Sequence, residues 1–266
     1  MKMYKTITLT LQRLAWLPTR LGFKFFCHLE TIGIQNVSEK KAIFASNHIS
    51  ELDPILIAAC LPFLSSHLPL FYTSREKGFY KDKKRLKKIL YGGIFFKAWG
   101  AYQVYVGLKN YEYALRNHIH ILLDNSSVCI FPEGKRSSEN EEITAKGGVA
   151  YLAHRTNVPI IPVRIHGLKQ TSLLDFLLRK RVVKVVFGEP IYIKDLFADV
   201  SKITVNEHRN DYVEAAVLIM KKVKALQPPH PFLSVAYAKQ LKLYTQQVVP
   251  HQRLAVPENP IVEQQE

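Results

Sequence analysis

The alternation of apolar and polar positions changes character near residue 41. Before it, residues 4–28 interleave Leu11, Leu14, Trp16, Leu17, Leu21, Phe23, Phe25 and Phe26 with Lys5, Arg13, Arg20 and Lys24. That is the composition of an amphipathic helical segment, with aromatics suited to a headgroup zone and basic residues suited to anionic lipid. Pro18 is expected to cut the run into two pieces. The apolar face has two candidate receivers, a membrane surface or the protein's own core, and periodicity does not choose between them.

From residue 41 onward, short apolar runs alternate with helical stretches. Strands are predicted over 43–46, 70–73, 104–106, 128–131, 160–165 and 182–187, several of them apolar throughout, as buried sheet requires. Helices are predicted over 54–60, 82–91, 110–124, 145–156 and 211–226. The alternation implies an α/β fold: a single layered domain with a mixed, largely parallel sheet flanked by helices, preceded by the N-terminal amphipathic helical segment. Pro228-Pro229-His230-Pro231 closes that domain, and one weak helix over 235–247 precedes a polar, proline-punctuated tail. The expected organisation is a membrane-contacting segment over 1–27, the main domain over 28–226 and a tail over 227–266.

Composition narrows the partners without choosing one. A chain of 266 residues, 47% of them apolar, can bury one sizeable core. Its formal charge of +15 and pI near 9.6 imply attraction to nucleic acid, an anionic membrane face or phosphorylated substrates. Cys27, Cys60 and Cys129 are odd in number, widely spaced and set among apolar neighbours. Neither a disulfide framework nor a zinc site fits them, and a reducing compartment does. Lys2 and Lys5 begin the chain, but Gln12 and Arg13 interrupt the apolar stretch and no small-residue cleavage site follows, so no signal peptide is expected. Nor is there a run of about eighteen apolar residues able to span a bilayer.

Two constellations carry chemistry. In the first, strand 43–46 runs into Asn47-His48, and Ile49-Ser50-Glu51-Leu52 leads to Asp53-Pro54 and an apolar helix. Proline favours the first helical position and Asp is a strong N-cap, so Asp53 is expected at the helix start, facing His48 at the strand end. Histidine is the side chain suited to take a proton from an alcohol near neutral pH, and a carboxylate on its other nitrogen holds the tautomer. A helix cap beside a polar loop residue would give the same spacing.

In the second, a buried strand ends in Phe131-Pro132-Glu133-Gly134-Lys135-Arg136-Ser137, at the sheet edge where open α/β folds bind ligands. Gly134 permits close backbone approach, and Arg136 offers a forked donor matched to phosphate oxygens. A charged surface turn is the alternative. Lys146-Gly147-Gly148 then opens the next helix and could add a cation and backbone donors.

Together, over roughly residues 28–195, these blocks resemble the phospholipid and glycerol acyltransferase family, typified by lysophosphatidic acid acyltransferases. Asn47, His48, Asp53 and Pro54 match the family's catalytic motif, and Phe131 through Ser137 its phosphate-binding motif. Val158-Pro159-Ile160-Ile161-Pro162-Val163 resembles its fourth motif, and Phe187-Gly188-Glu189-Pro190-Ile191 its closing strand. One departure stands out. The family's arginine after the second-motif strand is replaced by Val106, so part of the phosphate clamp is missing, and Lys97, Lys109 or Lys146 is left to supply a point charge.

The resemblance implies that His48 and Asp53 are catalytic and that Asn47, Glu133, Gly134, Arg136, Ser137, Lys146, Pro159 and Pro162 bind substrate. It implies acyl transfer from acyl-CoA or acyl carrier protein to a lysophospholipid such as lysophosphatidic acid, in phospholipid biosynthesis. Glycerol phosphate, another lysolipid and an amine-bearing lipid are alternative acceptors. Leu56, Ile57 and the 158–163 run are candidate walls for the acyl chain. No cofactor or metal is expected, because no cluster has ligand spacing. The expected partners are membrane lipid and the acyl donor, at the cytoplasmic face of a membrane, peripheral or monotopic. Against this stands a nucleic-acid or anionic-surface binding module resting on the basic clusters 81–88 and 179–181, which no recognised binding motif accompanies.

Overall fold

The computed structural model describes residues 2–37, 39–74, 97–105, 110–136, 143–168, 182–197 and 209–228. The expected helices over 82–91 and 235–247, and the basic clusters 81–88 and 179–181, lie outside the described residues. The chain divides into a unit Met1–Gln227 and a unit Pro228–Glu266, and of the second only Pro228 is described.

The first element, α1 (Lys2–Cys27), is one continuous helix with Pro18 inside it, not two pieces. A proline removes one helical hydrogen bond and crowds the preceding turn, which ends a free-standing helix but not an anchored one. Here anchors lie on both sides of Pro18. Gln12 accepts from the Leu70 backbone N–H at 2.8 Å and donates to the Leu70 carbonyl at 2.7 Å. Trp16 Nε1 donates to the Leu61 carbonyl at 2.8 Å, and the Arg20 guanidinium to that of Ala59 at 2.7 Å. Pro18 itself lies on the exposed face, where water can reach the freed carbonyl.

The order continues β1 (Glu30–Ile32), β2 (Ile43–Ser46), α2 (Asp53–Cys60), β3 (Leu70–Ser74), β4 (Ala101–Gln103), α3 (Tyr111–Leu123), β5 (Ser127–Ile130), α4 (Gly148–Thr156), β6 (Ile160–His166), β7 (Lys184–Phe187) and α5 (Arg209–Ala225). The described strands form one sheet in the order β1-β7-β6-β2-β5-β3-β4, parallel except between β6 and β7. Its two faces follow from strand alternation. Phe44, Tyr72, Cys129 and Ile161 pack with α1 and α2, whereas Ile43, Phe71, Val128 and Ile160 pack with residues of α3, α4 and α5. Because both faces are covered, the central strands are mostly apolar. The fold is therefore the expected α/β layered sheet flanked by helices.

Strand β4 lies three residues before its expected position, since Gly100, at φ 99°, turns the chain so that Ala101 pairs with Tyr72. The parallel strands β2, β5, β6 and β3 place their C-terminal ends along one edge, and both chemical loops leave from that edge.

Candidate active site

Strand β2 ends at Ser46, and Asn47 extends its pairing by side chain. The Asn47 amide donates to the Ile165 carbonyl at 3.0 Å and accepts from the Ile165 N–H at 2.8 Å, so both of its groups are committed to β6. That is a structural role beside the substrate-binding one that the resemblance implies. Asn47 fixes the point from which His48 leaves the sheet.

His48 Nδ1 lies 2.8 Å from Asp53 Oδ2. The same oxygen accepts from the backbone N–H groups of Ile49 at 2.7 Å and Ser50 at 2.9 Å. Asp53 is therefore not the cap of its own helix. Leu52 holds the cap position without a side-chain bond, and the Asp53 carboxylate turns back to fasten the preceding loop. Asp53 is fully buried, and Oδ1 makes no hydrogen bond among the described residues, so its whole polar capacity goes into Oδ2. With that carboxylate ionised, Nδ1 carries the ring proton and Nε2 is left as a basic lone pair. The Phe131 ring stacks on the imidazole at 4.4 Å between centroids and closes its flat face. The His48 side chain stays 23% exposed, enough for a substrate hydroxyl to approach.

Three other described histidines are poorly suited to act as a base. Burial lowers His67 and His118 to a pKa of about 4 each. Nearby backbone groups, of Glu39 for His67 and of Tyr72 and Tyr102 for His118, oppose that shift only in part. His154 is lowered by burial as well, and its Nδ1 is held 2.6 Å from the Tyr212 hydroxyl.

The second loop begins with a tight turn at Phe131, whose ring is the one stacked on His48. Gly134 N–H donates to the Phe131 carbonyl at 3.0 Å, with Pro132 at the position whose fixed φ favours such a turn and Gly134 at φ 67°. Glu133 and Gly134 thus form the turn itself. Arg136 follows it, and its guanidinium reaches Glu51 Oε1 at 3.3 Å. Glu51 stands between His48 and Asp53 in sequence, so this ion pair joins the two loops across 85 positions. Sequence reasoning misses Glu51, because nothing local marks a loop glutamate as the partner of so distant an arginine. The motif gives Phe131 no role of its own, although an aromatic ending a buried strand is the signal available.

Lys146 lies beside the turn, its N–H donating to the Pro132 carbonyl at 2.9 Å. Lys97 is elsewhere, with Nζ 4.4 Å from the Tyr4 ring and 5.9 Å from that of Tyr102. Ser137, Val106 and Lys109 lie outside the described residues. Pro162 lies on β6 and Pro159 immediately before it. The Pro159 carbonyl accepts from Ile43, and Pro162, buried on β6, accepts from Gly188 just past the end of the β6–β7 ladder, where its missing N–H costs nothing. The proposed acyl-chain wall is likewise core, since Leu56, Ile57, Ile160, Ile161 and Val163 are fully buried. Among the described residues, no group of three or more His, Cys, Asp or Glu could hold a metal ion. A depression of about 370 Å³ along α3, lined by Tyr113, Arg116 and Arg155 among others, contains no residue of either loop.

A family model described as Acyltransferase matches residues 28–166, a span holding both loops. A probable 1-acyl-sn-glycerol-3-phosphate acyltransferase of Mycoplasma genitalium is 24% identical over 180 residues, 60% of this chain and 60% of that protein. A protein of the same description from Mycoplasma pneumoniae is 24% identical over 137 residues, 50% of this chain and 47% of its own length. The chain thus spans only about half to three fifths of these relatives. The crystal structure of the 1-acyl-sn-glycerophosphate (LPA) acyltransferase PlsC from Thermotoga maritima shares the fold, with a TM-score of 0.52 and 19% identity over 82% of this chain and 80% of that one. With more than half of its length matched by the family model, this chain belongs to the acyltransferase family.

Proposed function

We infer that the protein transfers an acyl group from a thioester, acyl-CoA or acyl carrier protein, to the free hydroxyl of a lysophosphatidic-acid-type acceptor, as a step of phospholipid biosynthesis. The observation that carries this reading is the His48–Asp53 pair joined through Glu51 to Arg136 on the phosphate-type loop. His48 Nε2 takes the proton of the acceptor hydroxyl while its oxygen attacks the thioester carbonyl carbon. The tetrahedral intermediate collapses, the carbon–sulfur bond breaks, and the departing thiolate recovers the proton from His48. Asp53 stabilises the imidazolium that forms in between. Arg136 holds the acceptor phosphate and thereby places the hydroxyl, so that positioning supplies much of the rate gain. The Mycoplasma relatives, both described as probable 1-acyl-sn-glycerol-3-phosphate acyltransferases, favour 1-acylglycerol 3-phosphate over other acceptors.

The same reading places α1 on a membrane surface, as a peripheral contact. Among the described residues no helix is long and apolar enough to cross a membrane. Yet Met3, Ile7, Leu14, Leu17, Leu21 and Phe25 form one exposed stripe along α1, beside Lys24 and opposite the face that packs on the core. Because Phe23 and Cys27 of this helix are buried, the surface is tested by Leu17→Glu and Leu21→Glu, not by deletion. Sedimentation of these variants with anionic vesicles should drop while the fold is kept. The reaction is tested by a product profile with lysophosphatidate, glycerol 3-phosphate and neutral lysolipids offered with each donor. Turnover confined to lysophosphatidate is the expected result, and turnover of a different acceptor or none would reject this reading.

A further inference from the structure

The turn that links α2 to β3 carries the opposite of what a turn in water selects. Ser65 N–H donates to the Pro62 carbonyl at 2.9 Å, so Phe63 and Leu64 hold the two central positions of a tight turn. Such positions ordinarily take Gly, Asn, Asp or Ser. Here Phe63 is 42% exposed and Leu64 78%, the highest exposure of any large apolar side chain among the described residues. The turn is nonetheless held firmly, and α1 holds it. Trp16 Nε1 bonds the carbonyl of Leu61 just before the turn, and the Arg20 guanidinium bonds those of Ala59 and Cys60. The Phe63 ring meets the Trp16 ring edge-on, 5.5 Å between centroids, and the Arg13 guanidinium lies 5.6 Å from the Phe63 centroid.

Those contacts place the tip beside the exposed stripe of α1. Arg13 and Leu17 are four residues apart and so neighbours on the helix surface, and Arg20 and Lys24 continue the same row. The turn therefore flanks the stripe on its basic side. Resting on the peripheral attachment proposed above, we propose that the Phe63–Leu64 turn is a second membrane-inserting element, which enters an anionic lipid surface beside α1. Lipid suits this tip better than a protein does. Two side chains offer far less than the roughly 800 Å² per partner that a stable protein interface buries. An aromatic and an aliphatic side chain with cations at their base match the boundary between acyl chains and anionic headgroups. The second contact also has a consequence that α1 alone lacks: one helix on a surface can roll about its axis, and a tip to one side stops the roll.

The test uses the full chain as wild type, Leu64→Glu, Leu64→Phe and Leu218→Glu, the last an exposed leucine on α5, behind the opposite face of the sheet. In sedimentation with vesicles of mixed phosphatidylcholine and phosphatidylglycerol, Leu64→Glu should partition about tenfold less than wild type, at unchanged Tm. Leu64→Phe and Leu218→Glu should match wild type, and vesicles of phosphatidylcholine alone should bind all four weakly. Because Cys27, Cys60 and Cys129 are buried, Leu64→Cys can carry an environment-sensitive fluorophore at the tip, and its emission should shift to the blue when the mixed vesicles are added. Leu64→Glu sedimenting like wild type, Leu218→Glu impaired as much as Leu64→Glu, or a tip label that vesicles leave unchanged overturns the proposal. If Leu17→Glu and Leu21→Glu still lose binding in that case, the α1 contact stands without the turn. A label already blue-shifted in buffer would mean that another part of the chain or a second copy covers the tip, which overturns the proposal as well. Wild type that ignores both kinds of vesicle sinks the turn and the α1 contact together. None of these readouts depends on acyl transfer, so the proposed reaction stands or falls by its own assay.

Discussion

The two loops at the sheet edge are built to different standards. Around His48 every group is fixed in advance: Asn47 is bound to β6, Asp53 is sealed from water with three donors on one oxygen, and Phe131 stacks on the ring. Around Arg136 the turn at Gly134 and the bond from Lys146 to Pro132 fix the backbone. The cationic tips lie in water, with the Arg136 side chain 56% exposed and its partner Glu51 46% exposed. The difference matches the roles proposed above for the two loops, a base and a phosphate clamp. A base gains from orientation fixed before the substrate arrives, because reorganisation then costs nothing during the reaction. A phosphate clamp sealed dry without its anion would carry uncompensated buried charge, so its cations stay hydrated until the ligand comes.

If the base is prearranged, replacing it should produce the largest losses. His48→Ala is expected to reduce kcat by about a hundredfold or more with little change in Tm, since the imidazole is the assigned proton acceptor and is partly exposed. Single-turnover assays of a folded variant decide this, and substantial remaining turnover would remove His48 from the mechanism. Asp53→Asn should follow, with a loss on the order of tens of fold in kcat. It should also destabilise. An amide that keeps its oxygen toward Ile49 and Ser50 places its NH2 where Oδ1 now lies buried without a partner, at roughly 1–3 kcal/mol. Full activity in Asp53→Asn would mean that the carboxylate only shapes the loop.

On the clamp side the losses should be smaller and of another kind. Arg136→Ala should raise the acceptor KM by roughly fivefold to tenfold, leave the donor KM unchanged and barely move Tm, because an exposed guanidinium contributes little to the fold. Equal effects on donor and acceptor would place Arg136 at the thioester instead.

The same contrast governs what the sequence discloses. Strand β2 is legible to the residue because it is buried on both faces, and the apolar run 42–45 that feeds it fits little besides buried sheet. Strand β1 is not, since three residues hold too little periodicity and its partner β7 lies about 150 positions away. Pro18 misleads for a tertiary reason, as Gln12, Trp16 and Arg20 hold the helix across it. Within the site, the spacing of His48 and Asp53 discloses a pair that meets across one short loop. The ion pair of Glu51 with Arg136 leaves no trace, and Asn47, Pro159 and Pro162 are motif positions whose structural work a motif cannot distinguish from binding.

The smallest effect is expected where the two loops touch. The Glu51–Arg136 pair spans two side chains each about half exposed, and such pairs contribute about 0–1 kcal/mol. Glu51→Gln should therefore leave Tm nearly unchanged. In the free protein Glu51 also occupies the guanidinium that a phosphate must claim, so its neutralisation removes a competitor. The acceptor KM should fall by up to about twofold at low ionic strength, and the gain should fade as added salt screens the pair. Steady-state kinetics at two salt concentrations would measure it. A large drop in kcat would carry the opposite meaning: the ion pair would then be holding the His48 loop in register, and the clamp would be as prearranged as the base.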